Sequence, residues 1–156
     1  HEIAHVVDVM ATCCDAVGIK HPHTLDGQRL TPLEGRSLLP VFVERPRAPH
    51  PCFFEQEGTR AVRYGKWKMY FPHNYRTMIG QVPGLDGVPG DYKYIDMDTI
   101  ELYDLSKDVG ETNNVADQNP EVVQEIKLLA NDIRYRLGDS LLGIEGVETR
   151  AAGKVE

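Results

Sequence analysis

The sequence predicts an α+β fold, with a small antiparallel sheet of about four strands and a C-terminal helix packed on it. Three observations lead to this prediction for the 156-residue chain. Apolar residues recur at helical spacing in residues 1–17 and 119–137. Short runs of β-forming residues, separated by turn signals, fill residues 52–71. A fourth such run at 100–105 precedes the second helix, so strands and helices do not alternate along the chain.

The first element is predicted to be an amphipathic helix over residues 1–17, ended by Gly18. Its apolar stripe consists of Ile3, Val6, Val7, Met10, Cys14 and Val17. Residues 19–50 contain five prolines and no sustained period, so we expect a loop with one helical turn near 37–41. A loop of this length normally runs over another surface. Because the chain also opens inside a helix, we expect it to be the C-terminal piece of a longer protein.

Residues 52–56, 59–64 and 66–71 are predicted to form three strands, with a turn at Tyr64-Gly65 between the second and the third. The third strand places Trp67, Met69 and Phe71 on one face and Lys66, Lys68 and Tyr70 on the other. The apolar face is the one on which a helix is expected to pack.

Residues 72–98 are rich in Gly and Pro and are interpreted as an irregular excursion from the sheet. The fourth strand at 100–105 leads into an acidic turn at 106–114. Asn119 is expected to cap the last helix, which begins with a proline and is followed by a glycine and a polar tail. The apolar stripe of this helix is Val122, Ile126, Leu129, Ile133 and Leu137. Trp67 is expected to share a core with this stripe.

Composition excludes several classes of protein. The chain has 41% hydrophobic residues and a net charge of -7, which leaves no basic footprint for nucleic acid or an anionic membrane surface. No apolar run approaches the roughly 20 residues that a membrane span needs. Cys13 and Cys14 are adjacent and poorly placed to bridge each other, and Cys52 can pair with either or stay free. The redox compartment therefore stays open.

Several local patterns have both a chemical and a structural interpretation. His1, Glu2 and His5 match H-E-x-x-H, in which two imidazoles on one helix face hold Zn²⁺. No third ligand follows at a known spacing, so the end of a helix is the preferred interpretation. The carboxylate pairs Asp96/Asp98 and Asp104/Asp108 suit turns and strand ends better than acid–base chemistry.

Positive charge is concentrated on the predicted hairpin of residues 59–71. Its members are Arg60, Arg63, Lys66 and Lys68. Such a patch can attract an anionic substrate group. The preferred alternative, for each residue taken singly, is a solvated or salt-bridged hairpin face.

Four segments carry distinctive patterns. They are H-V-V-D-V-M-A-T at 5–12, D-G at 26–27 with L-E-G-R-S-L-L-P at 33–40, R-A-V-R-Y-G-K-W-K at 60–68, and E-L-Y-D-L at 101–105 with Asp108, Glu111 and Asn114. In this order they resemble the C-terminal part of the type I sulfatases, in particular bacterial arylsulfatases of the arylsulfatase A kind. The resemblance covers nearly the whole chain.

This resemblance implies a parent enzyme that hydrolyses sulfate esters with a formylglycine nucleophile, made in a C/S-x-P-x-R motif, and a Ca²⁺ ion beside it. No Cys or Ser of this chain has a Pro two residues later. The resemblance therefore assigns no catalytic or metal-binding residue to this chain, and it implies that calcium and formylglycine belong to a missing N-terminal part. Residues 1–50 are then the end of the α/β core, and residues 51–156 are the C-terminal subdomain. Relatives often carry His where Gln56 stands, so no role is transferred to that position.

His73, Tyr75 and Arg76 are candidate residues for the rim of the substrate cleft, because they offer an imidazole, an aromatic face and a permanent cation. They are interpreted as part of a loop, where binding residues concentrate. Relatives of the arylsulfatase A kind often carry a similar P-H-x-Y-R. Glu55 and Arg60 complete the candidate set. The structural alternative is that Arg76 pairs with an acidic loop residue and His73 caps the end of a strand.

The expected partner of the parent enzyme is a sulfated small molecule or glycan, and the family suggests a periplasmic or secreted location. The isolated chain is expected to be inactive, because it would only complete the fold and one rim of the cleft. An exposed apolar stripe on helix 1–17 would favour self-association. The alternative function, from a different class, is a non-catalytic α+β interaction module.

Overall fold

The computed structural model describes residues 3–45, 52–55 and 59–149, and the chain divides into two compact units. The first unit is His1–Cys52 and the second is Phe53–Glu156. No helix among the described residues is long and apolar enough to cross a membrane.

The first unit contains the helix α1 (Asp8–Ala16), which is shorter than the predicted helix 1–17. Residues 3–5 are irregular, and a turn precedes Asp8. The carboxylate of Asp8 accepts a hydrogen bond from the backbone N–H of His5 at 3.1 Å, and the N–H of Asp8 donates to the carbonyl of His5 at 2.9 Å. These bonds hold His5 in a turn, so the helix begins only at Asp8. His1 and Glu2 lie outside the described residues.

Two partly buried hydrogen bonds connect a loop to α1. The second carboxylate oxygen of Asp8 accepts from the N–H of Arg36 at 2.8 Å, and the hydroxyl of Thr12 accepts from the N–H of Leu38 at 2.9 Å. A Cβ placed on Gly35 would lie 2.0 Å from the carbonyl oxygen of Val7, so only glycine fits there. Asp8 and Thr12 of the motif at 5–12 and Gly35 of the motif at 33–40 therefore have structural roles.

Residues 19–45 are more regular than the predicted loop. A hairpin joins β1 (Thr24–Leu25) to β2 (Gln28–Arg29) through Asp26 and Gly27, which both have positive φ angles. Asp-Gly is a preferred pair for a tight hairpin turn of this kind. The expected helical turn is found as α2 (Leu39–Phe42).

The second unit is built on a four-stranded sheet, which confirms the predicted α+β fold. Its strands are β3 (Cys52–Glu55), β4 (Thr59–Tyr64), β5 (Trp67–Tyr70) and β8 (Glu101–Asp104), in that order across the sheet. The pairs β4–β5 and β5–β8 are antiparallel. Val62, Met69 and Leu102 face one another across three strands and are fully buried. The hairpin turn is at Gly65-Lys66, one residue later than predicted, with a φ of +57° at Gly65.

The helix α3 (Pro120–Leu137) packs on the apolar face of this sheet. The core cluster consists of Val62, Met69, Phe71, Leu102, Ile126 and Ala130, with Trp67 and Val122 among the partly buried residues around it. This confirms the predicted faces of β5 and the shared core of Trp67, Val122 and Ile126. Leu129 lies outside this cluster, and Leu137 is exposed.

Two details of α3 differ from the prediction. Asn119 precedes the helix, but its side chain makes no capping bond and donates to the carbonyl of Val115 at 2.9 Å. The buried face runs through Ile126, Ala130 and Arg134. Arg134 is buried because it pairs with Asp139, which follows the helix. The buried face of α3 therefore differs from the predicted stripe.

The interpretation of residues 72–98 as an irregular excursion is wrong. They contain β6 (His73–Thr77) and β7 (Lys93–Met97), which form an antiparallel two-stranded sheet. The Gly/Pro-rich loop between them closes on itself, with a bridge between Leu85 and Val88. Within this loop, a Cβ on Gly84 would lie 2.2 Å from the carbonyl oxygen of Val88, and one on Gly90 would lie 2.5 Å from that of Val82. After α3, β9 (Gly138–Asp139) pairs with β10 (Ile144–Glu145).

Candidate functional site

The face of the four-stranded sheet opposite α3 carries the polar chemistry of the second unit. Because side chains alternate along strands, this polar face consists of Ala61, Arg63, Lys68, Tyr70, Glu101 and Tyr103. The turn after β8 adds Glu111, whose φ angle is +55°. Glu111, which belongs to the motif that begins with E-L-Y-D-L, thus supplies a carboxylate to the neighbouring strand β5.

Glu111 binds two side chains of β5. One of its oxygens accepts from the Lys68 ammonium at 2.6 Å, and the other accepts from the Tyr70 hydroxyl at 2.7 Å. The side chains of Lys68 and Glu111 are only 18% and 26% exposed. Burial raises the pKa of Tyr70, and the hydrogen bond to Glu111 adds to the rise. Burial alone would lower the pKa of Lys68, but the hydrogen bonds to Glu111 and Tyr70 and their charges outweigh it and raise that pKa. Lys68 therefore stays charged and Tyr70 stays protonated at neutral pH.

A second hydrogen-bonded pair lies beside the first one. The Tyr103 hydroxyl donates to a carboxylate oxygen of Glu101 at 2.5 Å. Burial and this hydrogen bond both raise the pKa of Tyr103. Both tyrosine hydroxyls of the polar face are thus held by carboxylates, which fixes the orientation of the rings.

Four aromatic rings follow one another from the sheet to the β6–β7 hairpin. This ring series consists of Tyr103, Tyr70, His73 and Tyr75. Tyr103 and Tyr70 meet edge to face at 6.1 Å, Tyr70 and His73 are stacked at 5.9 Å, and His73 and Tyr75 are 5.9 Å apart between ring centroids. Tyr103 is buried, Tyr70 and His73 are half-buried, and Tyr75, at the other end of the series, is 40% exposed.

The imidazole of His73 has a defined direction. Its Nδ1 atom lies 2.7 Å from the carbonyl oxygen of Phe71, and a carbonyl can only accept, so Nδ1 carries the proton. Nε2 is then the nitrogen that can meet a ligand. The same contact ties His73 to the chain at the end of β5, as the structural alternative for this residue supposed.

Arg76 lies on the other face of the β6–β7 hairpin. Residues two apart share a face of a strand, so His73 and Tyr75 are together and Arg76 is opposite to them. The guanidinium of Arg76 lies over the ring of Tyr92 at 4.6 Å, and Tyr94 is its partner across the hairpin. Among the described residues, the ion pairs found do not include Arg76.

The remaining two rim candidates are on the larger sheet. An Nη1 donor of Arg60 binds the backbone carbonyl of Asn74 at 3.2 Å, so Arg60 contacts the strand that carries His73 and Tyr75. Glu55 ends β3, and its side chain lies outside the described part of the structure. The structure thus brings together His73, Tyr75 and the backbone contact of Arg60.

The two lysines of the positive patch pair with carboxylates. Lys66 pairs with Asp104 at 2.7 Å, as Lys68 does with Glu111. The hydrogen bonds from Lys66 and Ser106 lower the pKa of Asp104 to about 2. The Nε atom of Arg63 is buried, and no hydrogen bond from it is found within the described ranges of the chain. For the two lysines, the salt-bridged alternative is confirmed.

Three functional candidates escaped the sequence interpretation. Tyr103 and Glu111 were quoted only as parts of a motif, and their spacing did not reveal that they meet Tyr70 and Glu101. Tyr92 was hidden in the segment interpreted as irregular.

The described residues do not fit a metal site. Within residues 3–45, 52–55 and 59–149, no group of three His, Cys, Asp or Glu side chains could hold a metal ion. His1 and Glu2 of the H-E-x-x-H pattern lie outside this range. We therefore derive no catalytic step through calcium from the residues of this chain.

Comparison with known proteins is consistent with the geometry. Residues 48–142 match the family model described as the C-terminal region of aryl-sulfatase. The chain is 34% identical to arylsulfatase A of Homo sapiens, over 83% of this chain and 26% of that protein. It is 30% identical to arylsulfatase K of Danio rerio, over 83% of this chain and 22% of that protein.

A solved structure has a similar fold. It is described in connection with the metabolism of multiple glycosaminoglycans by Bacteroides thetaiotaomicron. The match has a TM-score of 0.54 and 22% identity, and it covers 83% of this chain and 24% of that chain. At this level of identity, the match shows the fold alone.

The fold and the polar sheet face define a small α+β domain that carries ordered aromatic and charged side chains. The family model matches more than half of the chain, and the chain therefore belongs to the sulfatase family, as its C-terminal region. Sulfatases are hydrolases. The chain spans about a quarter of the length of the curated relatives that it matches.

Proposed function

We propose that this chain is the C-terminal part of an enzyme that hydrolyses sulfate esters, and that it forms one rim of the substrate cleft. In this proposal, residues 1–50 are the end of the catalytic core and residues 51–156 are the C-terminal subdomain. The parent enzyme would supply formylglycine as the nucleophile and calcium as a charge-balancing ion from its other part. The 156-residue chain alone would be inactive.

The observation that carries the rim proposal is the fixed ring series. The carboxylate of Glu111 holds Tyr70, Tyr70 stacks on His73, and the carbonyl of Phe71 holds Nδ1 of His73. A side chain that is fixed before the substrate arrives loses little entropy when it binds. His73 and Tyr75 can therefore contact a substrate at low cost.

The chemistry of these two side chains suits a sulfated substrate with an attached ring. Nε2 of His73 accepts a hydrogen bond from a substrate hydroxyl when the imidazole is neutral, and it donates to a sulfate oxygen when the imidazole is protonated. Tyr75 offers an exposed ring for stacking. Arg60 supports the strand between them through the carbonyl of Asn74, and we keep Glu55 as a further candidate. The substrate class is a sulfated small molecule or glycan.

Exposed apolar side chains of the first unit support the proposal that the chain is one part of a larger enzyme. Val6, Val9 and Met10 of α1 and the turn before it are exposed. An exposed apolar stripe on a short helix indicates a surface that another element covers. We propose that the remaining part of the parent enzyme covers it, and that the isolated chain self-associates through this surface instead.

Kinetics of the full-length enzyme test the rim. His73→Ala and Tyr75→Ala should each lower kcat/KM for the preferred sulfate ester about tenfold, which corresponds to ~1.4 kcal/mol of lost transition-state binding. Asn74→Ala is the matched control, because Asn74 is exposed, lies between the two residues on the other face of the strand, and keeps in the variant the backbone carbonyl that accepts from Arg60. The variant should keep wild-type kinetics.

Three results would count against the proposal. The rim assignment is wrong if both variants keep wild-type kcat/KM on several substrates. Turnover of an aryl sulfate by the pure 156-residue chain would contradict the proposal that the other part of the parent enzyme supplies the nucleophile and calcium. A parent reading frame without a C/S-x-P-x-R motif would favour the non-catalytic interaction module.

A further inference from the structure

We infer that the face of the β6–β7 hairpin that carries Arg76 and Tyr94 binds an acidic sugar, a pyranose ring with one sulfate or carboxylate group. This site is separate from the ring series, which lies on the opposite face of the same hairpin. The inference extends the proposed function by naming a second contact with a glycan substrate.

Three side chains make up this acidic-sugar site. Arg76 and Tyr94 are direct partners in the antiparallel register, so their side chains lie side by side on one face. Tyr92 follows on the same face, and its ring lies 4.6 Å from the guanidinium of Arg76. The rings of Tyr92 and Tyr94 are 44% and 68% exposed. The site is therefore a cation flanked by two accessible aromatic rings.

The arrangement is poorly explained by stability alone. Exposed rings on a two-stranded sheet bury little area, so they contribute little to folding. In the part of the chain that the structure describes, the ion pairs and side-chain hydrogen bonds found do not use the guanidinium of Arg76. The stack on Tyr92 orients the guanidinium and leaves its edge N–H groups able to donate to an anion.

The chemistry of the ligand follows from these groups. The planar fork of an arginine donates two hydrogen bonds to a sulfate or a carboxylate. A tyrosine ring packs against the apolar face of a sugar ring. Both interactions can form at once, because direct cross-strand partners have Cβ atoms about 4.5–5.5 Å apart, so one substituted sugar ring can reach both the guanidinium and the Tyr94 ring.

The carboxylate of Asp96 determines how the ligand is oriented in the site. Asp96 lies on the same face, opposite Asn74 and next to the Arg76–Tyr94 row. A carboxylate repels a second anion and accepts hydrogen bonds from sugar hydroxyls. The ligand should therefore place its anion at Arg76 and its hydroxyl groups toward Asp96.

A binding experiment on the full chain tests the site without any need for catalysis. The probe is a singly sulfated disaccharide, measured by isothermal titration calorimetry beside the unsulfated disaccharide and inorganic sulfate. Wild type should bind the sulfated sugar at least tenfold more tightly than either control ligand. Arg76→Ala and Tyr94→Ala should each weaken that binding at least fivefold, and Tyr94→Phe should keep most of it.

Lys93→Ala is the matched control, since it removes one positive charge from the same hairpin but at a residue that faces the other way. It should leave the affinity within twofold of wild type, and the fluorescence melt of Trp67 should be unchanged in all four variants. The inference is overturned if Lys93→Ala weakens binding as much as Arg76→Ala, if Tyr94→Ala binds like wild type, or if wild type does not prefer the sulfated sugar.

The same variants separate this inference from the proposed function. In the full-length enzyme, Arg76→Ala and Tyr94→Ala should each raise KM for a sulfated oligosaccharide several-fold, and Tyr94→Ala should leave kcat/KM for a small aryl sulfate unchanged. If the disaccharide binds as expected but His73→Ala and Tyr75→Ala have no kinetic effect, the rim proposal fails and the acidic-sugar site stands. If His73→Ala and Tyr75→Ala lower kcat/KM but the disaccharide does not bind at Arg76, the acidic-sugar site fails and the rim proposal stands.

Discussion

The ion pair between Arg134 and Asp139 should be the most costly polar contact of the second unit to break. The Nε atom of Arg134 lies 2.9 Å from a carboxylate oxygen of Asp139, and the two side chains are 11% and 1% exposed. The guanidinium also lies 4.2 Å from the centroid of the Phe71 ring, next to the core cluster. Arg134→Met keeps the apolar volume and removes the charge, so the buried Asp139 carboxylate loses its ion pair with the Arg134 guanidinium.

The expected cost can be worked out from this geometry. Removing one partner of a buried ion pair costs about 3–5 kcal/mol, because the remaining charge stays desolvated. In a chain of this length, 1 kcal/mol corresponds to about 2–4 °C, so the melting temperature should fall by roughly 6–20 °C. Asp139→Asn in the Arg134→Met background should recover part of the loss. The double variant is expected to cost about 0.5–3 kcal/mol less than the sum of the single variants.

A second ion pair of the same helix is a matched control. Arg136 and Glu148 are also 2.9 Å apart, but their side chains are 34% and 47% exposed. Arg136→Met should cost no more than about 1 kcal/mol, because water screens the charge that remains. The two ion pairs have the same length but differ in burial, and Arg134 also lies on the Phe71 ring, so the difference between the two substitutions measures the effect of this buried environment.

Urea unfolding followed by tryptophan fluorescence measures these free energies. Trp67 is the one tryptophan of the chain and packs against the core cluster. The reasoning is refuted if Arg134→Met costs less than about 1 kcal/mol, or if it costs no more than Arg136→Met. An additive double variant would show that the two charges are not coupled.

Two further predictions concern pH and the first unit. The pKa of Asp104 falls from 3.8 to about 2 on folding, so its pairing with Lys66 stabilises the protein above pH 4, and this stability is lost as the pH falls through 2. Urea unfolding at pH 2–5 should show a smaller acid loss for Asp104→Asn, and equal pH profiles would contradict the assignment. Gly35→Ala should remove hydrogen-exchange protection from α1, because its Cβ would overlap the carbonyl of Val7. Gly110→Ala, whose nearest neighbour would be 3.5 Å away, is the control, and retained protection in Gly35→Ala would show that the loop can move.

Strands with local signals could be predicted from the sequence. Residues 59–71 alternate between apolar and charged side chains and contain a glycine turn, so both strands and the helix-facing side of β5 follow from the pattern. The β6–β7 hairpin could not be found in this way, because its strands are separated by a long Gly/Pro-rich loop and pair with each other across it. The start of α1 was missed because the apolar spacing continues before Asp8, whereas the hydrogen bonds between His5 and Asp8 hold that segment in a turn.

The candidate residues could be predicted by type but not by arrangement. His73, Tyr75 and Arg76 offered suitable chemistry, and a loop could have brought all three together. Once they lie on a strand, alternation divides them between two faces. The Phe71 carbonyl and the Tyr70 ring that contact the imidazole are close to it in sequence, but Glu111, which holds Tyr70, comes from the turn after β8 and has no signature near His73.

The loop between β6 and β7 has a consequence for protein engineering. Its backbone packs on itself at Gly84 and Gly90, so its shape depends on main-chain contacts rather than on its larger side chains. Those side chains, Ile79, Val82, Leu85 and Val88, all point outward and are at least 67% exposed. A library randomised at these four positions, with both glycines kept, would display new chemistry on an unchanged frame. The loop is thus a ready-made position for grafting a recognition sequence onto this domain.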